Sequence, residues 1–273
     1  MRLATVRIEG ATSAAVEVDG GLTLLPFADV GEWLRAGSPA VEQQDCGARL
    51  TLDEADFAPL VTAPGKIVCV GLNYREHILE MGRELPLHPT LFAKFSDALI
   101  GANDPIVLPP NSESVDWEAE LAVVIGSRVS CATAEEAAAA IAGFSIANDI
   151  SARDFQRRTP EWLQGKTFDA TTPLGPFLLT ADDSGRAPEW EISCTVDGAT
   201  KQMAQTGDLV FDPVELVRYI SAITTLNPGD VILTGTPGGV GDGRTPKEFL
   251  TDGSIVTTSI DGIGECRNAC ILR

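Results

Sequence analysis

The stretch Asp116-Trp117-Glu118-Ala119-Glu120-Leu121-Ala122-Val123-Val124-Ile125-Gly126 decides how this chain reads. Its second half is an unbroken apolar run closed by glycine, so residues 115–125 predict one long strand, buried on both faces toward its end. Side chains two apart on a strand point the same way, which places Asp116, Glu118 and Glu120 on one face with successive carboxylates roughly 7 Å apart. A carboxylate row leading into a buried strand is unfavourable unless a cation or protons compensate it. An exposed edge with solvated charges is the competing reading, and spacing alone leaves both open.

Working outward, apolar runs at residues 66–71, 91–95, 104–107, 144–149, 177–180, 191–196, 231–234, 254–260 and 266–272 predict further strands. Helices are predicted over 73–81, ending at Gly82, and over 133–142, opened by a Thr133/Glu136 capping box and stopped by Gly143. A third covers 212–221, with Pro213 at an early position. Strands outnumber helices and do not alternate regularly with them, which predicts an α+β, strand-rich fold instead of a doubly wound sheet. Residues 1–62 read as a small β-rich N-terminal domain: Val6, Ile8, Val16, Val18, Leu22 and Leu24 sit in alternating runs broken by Gly20-Gly21, with a short helix over 29–36. Pro59 and Pro64-Gly65 punctuate the passage to a larger domain, 63–273.

The 273 residues carry 39 Asp+Glu against 20 Lys+Arg, a net charge of −19, with only 2 His. So acidic a chain excludes nucleic acid and an anionic membrane surface as partners. Two histidines are too few for an imidazole-based zinc site, whereas abundant carboxylates suit a hard cation on oxygen ligands. No apolar run is long enough to span a bilayer, and residues 1–9 alternate like a strand, so a cytoplasmic location is expected. Cys46, Cys69, Cys131, Cys194, Cys266 and Cys270 form no C-x-x-C pair and read as reduced thiols.

Four further segments carry chemistry. Asp149, in Asn148-Asp149-Ile150-Ser151-Ala152-Arg153-Asp154, stands at a strand end, where it could serve as a ligand or simply cap a helix or pair with Arg. His77 and Glu80 are three apart on a predicted helix, so the carboxylate can orient the ring as a general base requires; a plain surface contact is the alternative. Lys166 lies in a glycine-bounded loop, Gln164-Gly165-Lys166-Thr167-Phe168-Asp169. The glycine-rich segment 234–243 lacks the G-K-[ST] ending of a phosphate-binding loop and instead suggests backbone amides close to a small anion.

In this order the segments resemble the fumarylacetoacetate hydrolase family: V-G-L-N-Y-x-x-H-x-x-E-M (70–81), D-W-E-A-E-L-A-V-V-I-G (116–126), A-N-D-I-S-A-R-D (147–154), Q-G-K-T-F-D (164–169) and P-G-D-V-I-L-T-G-T-P-x-G-V-G (228–241). The resemblance runs from about Lys66 to the C-terminus. It implies a mixed β-sandwich roll, usually homodimeric, with residues 1–62 as the variable N-terminal domain and 63–273 as the catalytic domain. It implies Mg²⁺ or Mn²⁺ held by Glu118, Glu120 and Asp149, with Lys166 on the substrate or its enolate. Gly235 and Thr236 would meet the substrate carboxylate, Arg153 and Gln156 would support the pocket, and His77 with Glu80 would activate water. Asp116 is expected to support the site instead of binding the metal.

One position departs from the pattern. The fumarylacetoacetate-cleaving branch carries an additional Asp ligand where this chain has Val70, which points to smaller pyruvate derivatives as substrates. The resemblance therefore implies hydrolysis of an acylpyruvate, fumarylpyruvate-like, to pyruvate and a carboxylic acid, with the metal and Lys166 stabilising an enolate. The same scaffold could serve a decarboxylase or isomerase on an oxaloacetate-like or hydroxymuconate-like acid. A silent metal-binding protein is the reading from another class, and retention of every expected ligand counts against it.

Overall fold

The computed structural model describes residues 1–41, 47–80, 82–182 and 184–272. Cys46, Met81 and their roles in the reading above lie outside the described residues. In chain order the strands are β1 (Arg2–Ile8), β2 (Ala11–Val18), β3 (Gly21–Leu24), β4 (Arg49–Thr51), β5 (Ile67–Gly71), β6 (Thr90–Lys94), β7 (Leu99–Ile100), β8 (Ile106–Leu108), β9 (Val115–Asp116), β10 (Ala119–Ile125), β11 (Ile141–Asn148), β12 (Ser151–Ala152), β13 (Thr172–Thr180), β14 (Glu191–Val196), β15 (Ala199–Gln205), β16 (Val231–Leu233), β17 (Ile255–Ile260) and β18 (Gly264–Leu272). The helices are α1 (Val30–Arg35), α2 (Arg75–Glu80), α3 (Ala134–Ala139), α4 (Arg153–Gln156), α5 (Leu163–Lys166) and α6 (Pro213–Ser221).

A large mixed sheet runs β4-β3-β2-β1-β13-β11-β10-β16-β5-β6, with β7 on β13, and a five-stranded sheet runs β15-β14-β17-β18-β8. The N-terminal strands extend the large sheet through antiparallel pairing of β1 with β13. At its centre β10 is buried along its whole length, as its apolar run predicts. Ala119, Leu121, Val123 and Ile125 join a core shared with Ile192, Cys194, Val256 and Ile260 of the five-stranded sheet. Ala122 and Val124 feed a second core with Val30, Trp33 and Leu34 of α1. Alternation along one strand thus serves two cores, and a sandwich with a covered outer face results.

Local chemistry sets the helix ends. Asp212 caps α6 by accepting the Glu215 N–H at 2.8 Å, with Pro213 in the first turn and Val214, Leu216, Val217 and Ile220 buried. The Thr133/Glu136 capping box forms, but α3 ends at Ala139 and Gly143 belongs to β11, because that stretch is claimed by pairing with β10 and β13. Two other expectations change. Residues 115–125 are not one strand: β9 turns away to pair with β12, and Trp117-Glu118 lie between it and β10. Lys166 ends the short helix α5 and is not in a loop. Strand β15, too polar to show an apolar run, was not expected. Among the described residues no helix is long and apolar enough to cross a membrane, and the described cysteines are all free.

Candidate metal centre and active site

Strand register builds the centre. β10 and β11 are antiparallel with Ala119 opposite Asn148, so the preceding Glu118 faces the following Asp149. The backbone fixes this facing: the Asp149 N–H donates to the Glu118 carbonyl at 2.8 Å, and the Glu118 N–H donates to Asn148 Oδ1 at 2.8 Å. Asn148 is itself held by donating to Thr258 Oγ1 at 2.8 Å. Glu120 follows two residues after Glu118, and carboxylate oxygens of Glu118, Glu120 and Asp149 lie within 4.8 Å of one another, all buried.

Cations surround the cluster. Lys166 Nζ lies 2.5 Å from Glu118 Oε2 and 2.7 Å from Asp149 Oδ2. Lys94, at the end of β6 and fully buried, donates to the other Asp149 oxygen at 2.6 Å. Arg153 bridges Glu118 Oε1 at 2.6 Å and Asp116 Oδ2 at 2.8 Å. Gly165 permits the close approach of α5 to α4 that brings Lys166 in: a Cβ there would stand 2.5 Å from the Gln156 nitrogen and 2.6 Å from the Ala152 oxygen.

Charge follows from these contacts. Burial pushes Asp149 up, yet Lys166 and Lys94 together pull it below the usual carboxylate range. Burial and the like charges of Asp149 and Glu118 push Glu120 well above that range, and the opposing pull of Lys166 and of the Gly235 N–H, which donates to it at 2.7 Å, does not offset them. Burial pulls Lys166 down, but Asp149 and Glu118 outweigh it and hold the ammonium at about 12. Lys166 therefore stays charged at neutral pH. Three hard oxygen donors in a buried cluster fit Mg²⁺ or Mn²⁺, and each carboxylate oxygen keeps a second lone pair beyond the bonds described.

The cluster opens into a cavity of 490 Å³ lined by His77, Glu80, Glu118, Glu120, Arg153, Gln156, Lys166 and Thr236, among others. Burial lowers the His77 value against the upward pull of Glu80 and Glu118, so the ring is a neutral base at pH 7. His77 and Glu80 stand side by side over Gly238: a Cβ there would lie 3.2 Å from His77 Nδ1 and 3.4 Å from Glu80 Oε2. His88, by contrast, lies beside Tyr219, with ring centroids 6.0 Å apart.

The expected substrate contacts shift in detail. The Gly235 amide, expected to meet a substrate carboxylate, donates to Glu120 instead. Thr236 reaches the cavity, its hydroxyl accepting from Gln202 Nε2 at 2.8 Å. Arg153 Nη1 donates to Gln156 Oε1 at 3.0 Å, whereas Arg153 Nη2 is buried without a hydrogen-bond partner beside the cavity. Asp116 is not part of the cluster of Glu118, Glu120 and Asp149, and the strand is interrupted between it and Ala119. Asp116 accepts from Arg153, from its own neighbour Trp117 and from the Gly241 and Asp242 amides, fastening the glycine-rich segment to Arg153.

Residues 66–271 match the family described as fumarylacetoacetate (FAA) hydrolase C-terminal. This chain belongs to the fumarylacetoacetate hydrolase family. It is 46% identical over 224 residues to a mitochondrial oxaloacetate tautomerase of Bos taurus, covering 81% of this chain and 71% of that protein. Among solved structures it is similar to the fumarylacetoacetate hydrolase of psychrophilic Exiguobacterium antarcticum, at a TM-score of 0.89 and 30% identity over 100% of both chains. It is also similar to the fumarylpyruvate hydrolase of Pseudomonas aeruginosa in complex with Mn²⁺ and pyruvate, at a TM-score of 0.69 and 30% identity over 77% of this chain and 91% of that one. Fumarylacetoacetate hydrolase family members are enzymes, and the acidic cluster described above is consistent with a divalent metal in this one.

Asp116 supports the site as expected, and Lys94, Asn148 and Gln202 complete it without a sequence motif that assigns them. Lys94 had one signal, a lysine closing an otherwise apolar strand.

Proposed function

We propose that this enzyme interconverts the keto and enol forms of a 2-oxo dicarboxylic acid of the oxaloacetate type. The observation that carries this reading is the placement, in one cavity, of a partly buried imidazole and a buried ammonium: His77 lines it beside Glu80, and Lys166 lines it against Glu118 and Asp149. His77 takes the proton from C3, and Lys166 stabilises the negative charge that develops on the 2-oxo oxygen. A proton returned to that oxygen gives the enol, and the reverse gives the ketone. The unpartnered Arg153 Nη2 offers a donor to the adjacent carboxylate. Mg²⁺ or Mn²⁺ on Glu118, Glu120 and Asp149 would supply further stabilisation of negative charge at the same end. The identity to an oxaloacetate tautomerase supports this over the other activities of the family.

Hydrolysis of an acylpyruvate to pyruvate and a carboxylic acid is the second reading, and one feature favours it. His77 and Glu80 also line a second, smaller cavity of 260 Å³ with Pro237 and Gly238, which would give water access to the base. The two separate in one assay series with Mg²⁺ or Mn²⁺: loss of enol-oxaloacetate absorbance, pyruvate release from fumarylpyruvate, and CO₂ release from oxaloacetate. Tautomerisation predicts a metal-dependent acceleration of the first. Pyruvate release alone would replace this reading with the hydrolytic one. Glu118→Ala is expected to abolish Mn²⁺ binding in a calorimetric titration; retained binding would refute the metal assignment.

A further inference from the structure

The cationic side chains lining the main cavity are Arg83, Arg153, Arg157, Lys166 and Arg244. Four of them are committed to acids of this chain. Arg153 pairs with Asp116 and Glu118, Lys166 with Glu118 and Asp149, Arg157 with Asp242, and Arg244 with Glu248 at 3.6 Å. The Arg83 guanidinium has no hydrogen-bonded or ion-paired partner among the described residues, in a chain with 39 acidic side chains against 20 basic ones. An unpaired guanidinium facing a cavity in so acidic a molecule stands out from its surroundings.

Its backbone is anchored. Gly82, at φ +67°, closes α2: the Gly82 N–H donates to the Leu79 carbonyl at 2.9 Å and the Arg83 N–H to the Ile78 carbonyl at 3.2 Å. This is the double hydrogen bond of a Schellman closure, and it sets Arg83 just beyond the helix that carries His77 and Glu80. Arg83 is exposed, so it stands toward the open side, whereas the carboxylate cluster and Lys166 are buried. Its charge also reaches the base: burial is the chief cause that lowers His77, and Arg83 acts in the same direction.

We infer that Arg83 is the specificity-determining residue for the distal carboxylate of the substrate, selecting 2-oxo dicarboxylic acids over 2-oxo acids with an apolar tail. The inference rests on the proposed 2-oxo acid reading of the site. The head of such a substrate goes to the buried end, where Lys166 and Arg153 stand. Its second carboxylate meets a guanidinium that has no internal anion to give up, so an ion pair is gained without one being broken.

The test is a calorimetric titration of wild-type protein and Arg83→Gln, with and without Mn²⁺, using 2-oxoglutarate and 2-oxopentanoate. The two probes share a head and chain length and differ in a terminal carboxylate against a methyl. The wild type is expected to prefer 2-oxoglutarate, and Arg83→Gln to weaken that probe about tenfold while 2-oxopentanoate stays within about twofold. Arg83→Lys should recover part of the preference. In turnover of oxaloacetate at a pH well above the acid limb of His77, Arg83→Gln should raise KM and leave kcat nearly unchanged. Equal weakening of both probes, or no weakening of either, overturns the assignment, as does a wild type without preference. If the preference holds but the wild type does not accelerate oxaloacetate tautomerisation, the proposed function fails and the role of Arg83 stands.

Discussion

At the inner end of the cavity, Asp149 lies between Lys94 and Lys166 with every partner buried; at the mouth, Arg157 meets Asp242 with more than half of the arginine side chain in water. Both are opposite charges in contact, yet physics treats them differently. Buried ions have lost hydration and depend on each other, so removing one leaves another uncompensated. Ions at the mouth keep their water and are screened by salt. The inner set is therefore rigid and shared between fold and chemistry, and the outer set is adjustable.

The strongest way to break this contrast is Asp149→Ala. It strands the buried Lys94 ammonium, takes from Lys166 one of its two carboxylates, and is expected to destabilise the protein by about 3–5 kcal/mol, read by urea denaturation, besides abolishing activity. A loss below about 1 kcal/mol, the range of exposed pairs, would show that the inner cluster is solvated and the contrast false.

His77→Gln comes next and separates chemistry from fold. Activity should fall by about 10²–10⁴-fold. The ring is half-buried and is not among the buried core, so stability should move by less than about 0.5 kcal/mol. The pH dependence has a definite sign. Burial lowers the folded His77 value, and the neutral ring is the active form, so kcat/KM should fall as pH drops through a value below the ordinary imidazole range. Between those values the unfolded chain binds a proton that the folded chain does not, so this group also makes the fold less stable as pH falls through that window. Glu80→Gln removes a charge that raises His77, and should move the acid limb to lower pH. An acid limb at or above the ordinary range would contradict a buried neutral base.

How much of this was legible in the sequence differs between the same two ends. The apolar run of β10 and the two-residue step from Glu118 to Glu120 are local, and local periodicity survives folding. The helical step from His77 to Glu80 survives for the same reason. Asp149 became a ligand candidate through resemblance, since its partners are set by the register of β10 on β11. Asp116 stands where the apolar run gives no hint of a strand break: β9 ends there, Asp116 accepts from the Trp117 N–H, and its supporting role depends on contacts with Arg153 and the glycine-rich segment. Lys94 stayed invisible: it lies 55 positions from Asp149, and no period links the two. Arg83 carries no motif either. Its placement needs the helix closure at Gly82 and a cavity that exists only in three dimensions.

Gly238→Ala is expected to have a smaller effect than loss of the base itself. The added methyl would meet His77 Nδ1 at 3.2 Å, so the ring must give by a few tenths of an ångström, and would touch Glu80 Oε2 at 3.4 Å. A reduction in kcat of about tenfold to a hundredfold, with the melting temperature little changed, is the expected result. No change would mean that the packing of the two side chains over Gly238 does not set their catalytic positions.

The smallest effect is reserved for the mouth. Asp242 takes Arg157 and Lys247 on its carboxylate, while its backbone N–H rests on buried Asp116. Asp242→Asn removes the charge and keeps the backbone bond, so stability should fall by less than about 1 kcal/mol, and less still in high salt. Its influence on turnover should appear in KM instead of kcat, because releasing Arg157 leaves a second free guanidinium beside the cavity and strengthens the positive charge offered to a dianion. KM for oxaloacetate is therefore expected to fall slightly at low salt and to converge on the wild-type value as salt rises. A large stability loss, comparable with that of Asp149→Ala, would show that the mouth is held as tightly as the centre, and that Arg157 and Asp242 belong to the rigid frame of the site.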